Sequence, residues 1–151
     1  MRKIAYLFML IPIVFSACKG KFYKQYQDIP KLQWQRSNVV KFEVDIQDIE
    51  AAYRITIGFR YTTHIHQNAI PVIVGMVSPA GKTTSENYII QLKDAKGEHL
   101  GEAMHDLADR EQEVKKGFKF TEKGKHYFTI TQASDAEDLG GIMEVGLVLE
   151  K

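Results

Sequence analysis

A chain of 151 residues with 20 Lys+Arg against 19 Asp+Glu is long enough for one domain and too short for two. The near balance leaves no basic excess to neutralise phosphates, which excludes nucleic acid as a partner. A hydrophobic content of 44% is that of a globular protein and not of a disordered one.

The first informative segment is the N-terminus. Met1-Arg2-Lys3 is basic, and Ile4 to Phe15 is apolar apart from the Tyr6 hydroxyl, broken only by Pro12. Ser16-Ala17-Cys18 follows, which completes the layout of a secretory signal. The apolar run is about 12 residues, too short to cross a bilayer as a helix, which takes roughly 20. Phe15-Ser16-Ala17-Cys18 resembles the bacterial lipobox, in which small residues precede the cysteine that receives diacylglycerol. Cys18 is the only cysteine, so the exported domain can form no internal disulfide. A lone exported cysteine is a free thiol, half of an intermolecular bridge, or a lipid attachment point. Its place directly after Ala17 selects lipidation. Each buried acyl CH₂ is worth ~0.8 kcal/mol, and more than one chain anchors a protein stably. The expected organisation is a signal peptide at 1–17, a lipidated Cys18 with a tether at 18–36, and one domain at 37–151, with the membrane as a partner through acylated Cys18.

Lys19 to Ser37 is polar and poorly periodic, and Lys19 to about Gln27 reads as the tether. Ile29, Leu32 and Trp34 mark where the chain begins to pack. Trp34 is the only tryptophan, and core or edge packing is its expected role rather than ligand stacking. From Asn38 onward the dominant period is two, which predicts strands. Val40, Phe42, Val44 and Ile46 alternate with polar neighbours, as do Tyr53, Ile55, Ile57 and Phe59, so both segments read as half-buried strands. Ile70 to Val77 is almost continuously apolar and reads as a strand covered on both faces, with Pro71 at its first turn or on an edge. A turn at Ser78-Pro79-Ala80-Gly81-Lys82 leads to a strand from Asn87 to Lys93, and Asp94-Ala95-Lys96-Gly97 turns again. Leu100, Met104 and Leu107 sit at helical spacing, so the stretch from 100 to 113 reads as one short helix or an irregular excursion. Strands then resume at Val114 to Thr121, His126 to Gln132 and Ile142 to Glu150. About seven or eight short strands separated by turn signals predict an all-β, antiparallel β-sandwich of immunoglobulin-like or jelly-roll-like type.

Chemistry-bearing motifs are weak. His64-Ile65-His66 places two imidazoles on one face of an extended segment, where they could share a metal. No third ligand stands at a diagnostic spacing, and a polar loop or strand end accounts for the pair as well. Asp106 to Glu111 concentrates carboxylates that could do acid–base work or lie on a solvated face. Asp45, Asp48 and Glu50 lack the glycine and the ligand alternation of a calcium loop. No Gly-x-Ser-x-Gly elbow and no phosphate-binding glycine loop is present. The expectation is a protein that is not an enzyme and needs no cofactor, with a metal-dependent hydrolase built on His64 and His66 as a minor alternative. Tyr23, Tyr26, Trp34, Tyr61, Tyr88 and Tyr127 are candidate sugar-stacking rings for a second alternative, a membrane-tethered glycan-binding sandwich.

The C-terminal third adds a resemblance. Gly124-Lys-His-Tyr-Phe-Thr-Ile-Thr-Gln-Ala133 within Phe118 to Ala133, then Leu139-Gly140-Gly141-Ile142-Met143-Glu144-Val145-Gly146-Leu147 and a terminal Glu150-Lys151, are similar to the H component of the gliding-motility lipoprotein family of Bacteroidetes. Upstream, Cys18 in its lipobox, Tyr23, Tyr26, Trp34, Arg60, Asn68, the Pro79-x-Gly81 turn, Gly101 and Asp106 follow the same order. The resemblance implies a cell-envelope lipoprotein carrying palmitate-class acyl chains, without enzymatic activity. It also implies an association with other envelope proteins of the gliding or type IX secretion apparatus. Lys19-Gly20-Lys21 after the cysteine, in place of an acidic run, points to the periplasmic side, at the outer membrane rather than the inner.

Overall fold

The computed structural model describes residues 21–151. The expected signal peptide and Cys18 therefore lie outside the described residues. Eleven strands form: β1 (Lys21–Asp28), β2 (Gln33–Gln35), β3 (Val40–Ile46), β4 (Tyr53–Thr62), β5 (Ala69–Val77), β6 (Thr83–Gln91), β7 (Glu102–Met104), β8 (Leu107–Phe118), β9 (Gly124–Gln132), β10 (Asp138–Gly140) and β11 (Ile142–Glu150). A single 3₁₀ turn at Pro30–Leu32 is the one helical element among the described residues.

Two antiparallel sheets make the expected sandwich. One has five strands in the order β1-β11-β4-β8-β7, the other four in the order β3-β9-β5-β6, and β10 pairs with β2 at one end. The period of two is what makes this packing work. In β3 every second residue, from Val40 to Ile46, is buried and the residues between are exposed. Tyr53, Ile55, Ile57, Phe59 and Tyr61 of β4 meet this face together with Val145, Leu147 and Leu149 of β11. Aromatic rings close the two ends of the core. Phe120 packs edge-on to Tyr53, Phe118 and His126 with centroids 4.7 to 5.1 Å apart. At the other end Trp34 is 0% exposed, lies 5.8 Å from Phe59 and donates its indole N–H to the Asn38 carbonyl. That is the packing role expected of the single tryptophan.

The open edges are covered by side chains rather than by more strands. Arg110 and Gln112 of β8 donate to the Gln91 and Ile89 carbonyls of β6, and the Gln91 N–H donates back to the Gln112 amide. On the opposite edge Gln27 of β1 donates to the Lys41 carbonyl of β3. Occupied edge groups are poor templates for stray strand pairing.

Three segments differ in kind from the sequence reading, and two strands are shifted, β6 beginning at Thr83 rather than Asn87 and β8 ending at Phe118 rather than Thr121. Residues 21–28, read as tether, are β1, paired along its length with β11. Its pattern was not apolar because it is an edge strand whose outward ring is covered from below, as described in the next section. The stretch from 100 to 113 is not a helix but the β7–β8 hairpin, and Leu100, Met104 and Leu107 are all exposed. Helical spacing there had no buried face to serve, so it carried no information about structure. Ile70 to Val77 is covered on one face only: Ile70 and Val72 are buried, while Ile73 is exposed. Pro71 lies just before the β5–β9 register, which begins at Val72 opposite Gln132.

Trp34 fills the end of the core, so Trp34→Ala is expected to cost about 3–5 kcal/mol. Tyr127→Ala, on the outer face of β9, is expected to stay within about 0.5 kcal/mol. Urea titration of both variants checks the contrast.

Candidate functional site

The outer face of the five-stranded sheet carries the most organised polar cluster, and strand register builds it. Tyr26 is paired with Gly146, Gly146 with Gly58, and Gly58 with Glu111, so one row crosses four strands. The two glycines leave the middle of the row bare, and the Tyr26 side chain lies across it. A Cβ on Gly58 would stand 2.1 Å from the Tyr26 hydroxyl oxygen, and one on Gly146 would stand 2.5 Å from the ring. At the far side Tyr26 Oη donates to Glu111 Oε1 at 2.9 Å, and Lys24 Nζ reaches the same oxygen at 2.7 Å.

The next row runs Asp28, Glu144, Arg60, Asp109, Glu102. Arg60 grips Asp109 with two parallel bonds, Nε to Oδ1 at 2.7 Å and Nη2 to Oδ2 at 2.9 Å, and its third nitrogen lies 3.2 Å from Glu144 Oε2. This fork geometry is the one that suits a guanidinium. On the other side of the Tyr26 row Arg54 links Glu113 and Glu150. The segment Leu100-Gly101-Glu102 walls the face. Gly101 passes so close to β8 that a Cβ would fall 1.8 Å from the Asp109 carbonyl oxygen, so no other residue fits. The result is an open cleft of about 710 Å³ whose lining includes Lys24, Tyr26, Arg60, Leu100, Asp109 and Glu144.

The surroundings fix the protonation of two members of the cluster. Burial, followed by the hydrogen bond to Glu111, pushes the Tyr26 phenol above the usual tyrosine range, so it stays neutral and a donor. The hydrogen bond to Asp109 holds Arg60 protonated beyond its already high value. The lining contains no His, Cys or Ser. Each exposed pair contributes at most about 1 kcal/mol, so the network orients side chains more than it stabilises the fold.

The residues singled out in the sequence fall elsewhere. His64 and His66 lie exposed in the loop after β4, with Ile65 between them buried in the core. Among the described residues no three His, Cys, Asp or Glu are arranged to hold a metal ion. Asp48 serves its own turn, accepting from the Glu50 and Ala51 N–H groups and pairing with Lys151. Asp109 and Glu111, from the acidic stretch, belong to the outer face of β8. The six candidate sugar-stacking rings share no surface: Trp34 and Tyr61 are buried, Tyr26 lies on the five-stranded sheet, and the exposed Tyr127 lies on the other sheet. The sequence reading missed the roles of Tyr26, Gly58 and Gly146. Their signal was a glycine at an outward position in the middle of each of two strands, which marks a close approach.

These features define an all-strand module with an ordered ionic face. The GldH lipoprotein family model matches residues 21–149, and the chain belongs to that family. It is 29% identical to a protein named gliding motility lipoprotein GldH homolog from Christiangramia forsetii, over 97% of this chain and 94% of that one. It is 25% identical to gliding motility lipoprotein GldH of Flavobacterium johnsoniae, over 92% and 90%. Among solved structures, a family GH115 4-O-methyl-alpha-glucuronidase superposes with a TM-score of 0.48 at 13% identity, covering 99% of this chain and 19% of that one. The VP2 subviral particle protein of infectious bursal disease virus gives 0.40 at 12% identity, over 97% and 37%.

Two outcomes follow from Tyr26. Gly146→Val drives a side chain into the ring and is expected to cost about 1–3 kcal/mol. Adding Tyr26→Ala is expected to recover part of that loss, a coupling that a double-mutant cycle in urea measures. Because the folded phenol titrates above its unfolded value of about 10, its contribution is complete below that pH and is lost as pH climbs beyond it. Stability measured from pH 8 to 11 should therefore fall at the alkaline end, and less steeply in Tyr26→Phe.

Proposed function

We propose that this chain is a non-catalytic interaction module of the cell envelope, held at a membrane by acylated Cys18 and acting with the gliding-motility or linked type IX secretion apparatus. The family supports the setting, and the lipobox at Phe15-Ser16-Ala17-Cys18 supports the anchor. Lys19-Gly20-Lys21 supports the periplasmic side, and the outer membrane is the favoured site.

One observation carries the interaction role. Leu100, Met104 and Leu107 are all exposed at the β7–β8 hairpin, Met104 to 74%, and they border the ionic face. An apolar centre with a polar margin is the anatomy of a protein-docking surface. The partner is an envelope protein with an apolar recess for the hairpin. Its rim is basic, to meet Glu102 and the neighbouring carboxylates Asp109 and Glu144.

A photo-crosslinking residue in place of Met104, in cells of the native host, is expected to capture a discrete envelope protein. The same residue in place of Ser85, on β6, is expected to capture none. Identical adduct patterns at the two positions, or none at position 104, would reject the docking role.

A further inference from the structure

Strand direction separates the two ends of the sandwich. β1 begins at Lys21 and β11, its antiparallel partner, finishes at Glu150. The same pairing places the start of β4 and the end of β8 at this end. In the other sheet, the ends of β3 and β5 and the starts of β6 and β9 join them. Loops 47–52, 78–82 and 119–123 therefore cluster where β1 enters. The Ala80 N–H donates to Glu122 across two of them, and Lys151 pairs with Asp48 of the third. The β7–β8 hairpin with Met104 stands at the opposite end.

Two residues, Lys19 and Gly20, separate Cys18 from β1. A chain advances at most ~3.6 Å per residue, so the link from Cys18 to Lys21 spans about 11 Å at full extension. A nine-residue strand such as β11 is about 30 Å long. A lipid on Cys18 therefore holds the entry end against the bilayer and leaves the hairpin end out of reach of it. The entry end also suits that surface. Lys82, Lys116, Lys119 and Lys123 are exposed there and have no ion-pair partner among the described residues. Anionic headgroups attract such lysines. The carboxylate-rich face of the five-stranded sheet would be repelled, which opposes the molecule lying on that side.

We infer that the end formed by loops 47–52, 78–82 and 119–123 is a bilayer-facing surface whose occupant is anionic lipid headgroups, so that the Met104 hairpin points away from the membrane. The inference rests on the acylation of Cys18 proposed above and adds to it a fixed orientation.

The test uses the acylated full-length protein from its native host, reconstituted in vesicles of phosphatidylethanolamine and phosphatidylglycerol carrying a headgroup nitroxide. A fluorophore is attached through Ala80→Cys or, separately, Met104→Cys, acylated Cys18 having no free thiol. Fluorescence is expected to be lost at position 80 and retained at position 104. Combining Lys82→Glu, Lys119→Glu and Lys123→Glu is expected to reduce the loss at position 80. Equal loss at both positions, a greater loss at 104, or no effect of the glutamates overturns the orientation. A separate readout addresses the anchor. If mass spectrometry of the native-host protein shows Cys18 without acyl chains, acylation itself is rejected. If Cys18 is acylated while both labels are quenched alike, only the orientation is rejected.

Discussion

The Tyr26 side chain lying across Gly146 and Gly58 is the contact on which the arrangement of this molecule depends. An edge strand has one ladder of backbone bonds, and β1 offers few apolar side chains to strengthen it. The two paired glycines let one aromatic ring cover both central strands of the sheet, and its hydroxyl ends on Glu111 of β8. One residue thereby ties the first strand to the third strand away from it. The ring buries apolar area, and its polar tip keeps a partner, the balance that suits a tyrosine at a half-wet surface. With β1 held in this place, the point where the chain leaves the fold toward Cys18 is also set.

The ionic rows on either side draw their order from the same register. Arg60, Asp109 and Glu144 meet because β11, β4 and β8 are in phase, and a slip of one residue in any of these strands would turn its member of the trio inward. Arg60 is shared by the two carboxylates, so the face presents ordered hydrogen-bonding groups with carboxylates in excess. The cleft beside Leu100 and Gly101 lies along these rows. The exposed apolar tip of the hairpin adjoins it, and Arg110, Gln112 and Gln27 engage edge backbone groups at Gln91, Ile89 and Lys41. The molecule thus limits indiscriminate pairing along its sides and concentrates exposed apolar surface at one end.

The strands that pack the core were plain in the order of residues. β3 and β11 occupy the spans expected of them, and β5 and β9 differ from expectation by one or two residues at an end. The reason is local: alternation of apolar and polar side chains is a property of each segment by itself. The burial of Trp34 could likewise be expected from its chemistry. Two of the misread segments, β1 and the β7–β8 hairpin, share a physical cause. Neither puts a full apolar face into the core, so neither had a periodic signature to read, and the helical spacing of Leu100, Met104 and Leu107 was fortuitous.

The sequence alone determined the all-strand sandwich, the layout of an export signal ending at a single cysteine, and the resemblance that family membership then established. The candidate site was decided only by tertiary structure. Tyr26, Gly58, Glu111 and Gly146 are separated by tens of residues, and nothing in their own neighbourhoods says that they share a row. Register across four strands is a long-range property, set by the packing of both sheets at once, and a surface assembled in that way has no counterpart in any one stretch of the chain.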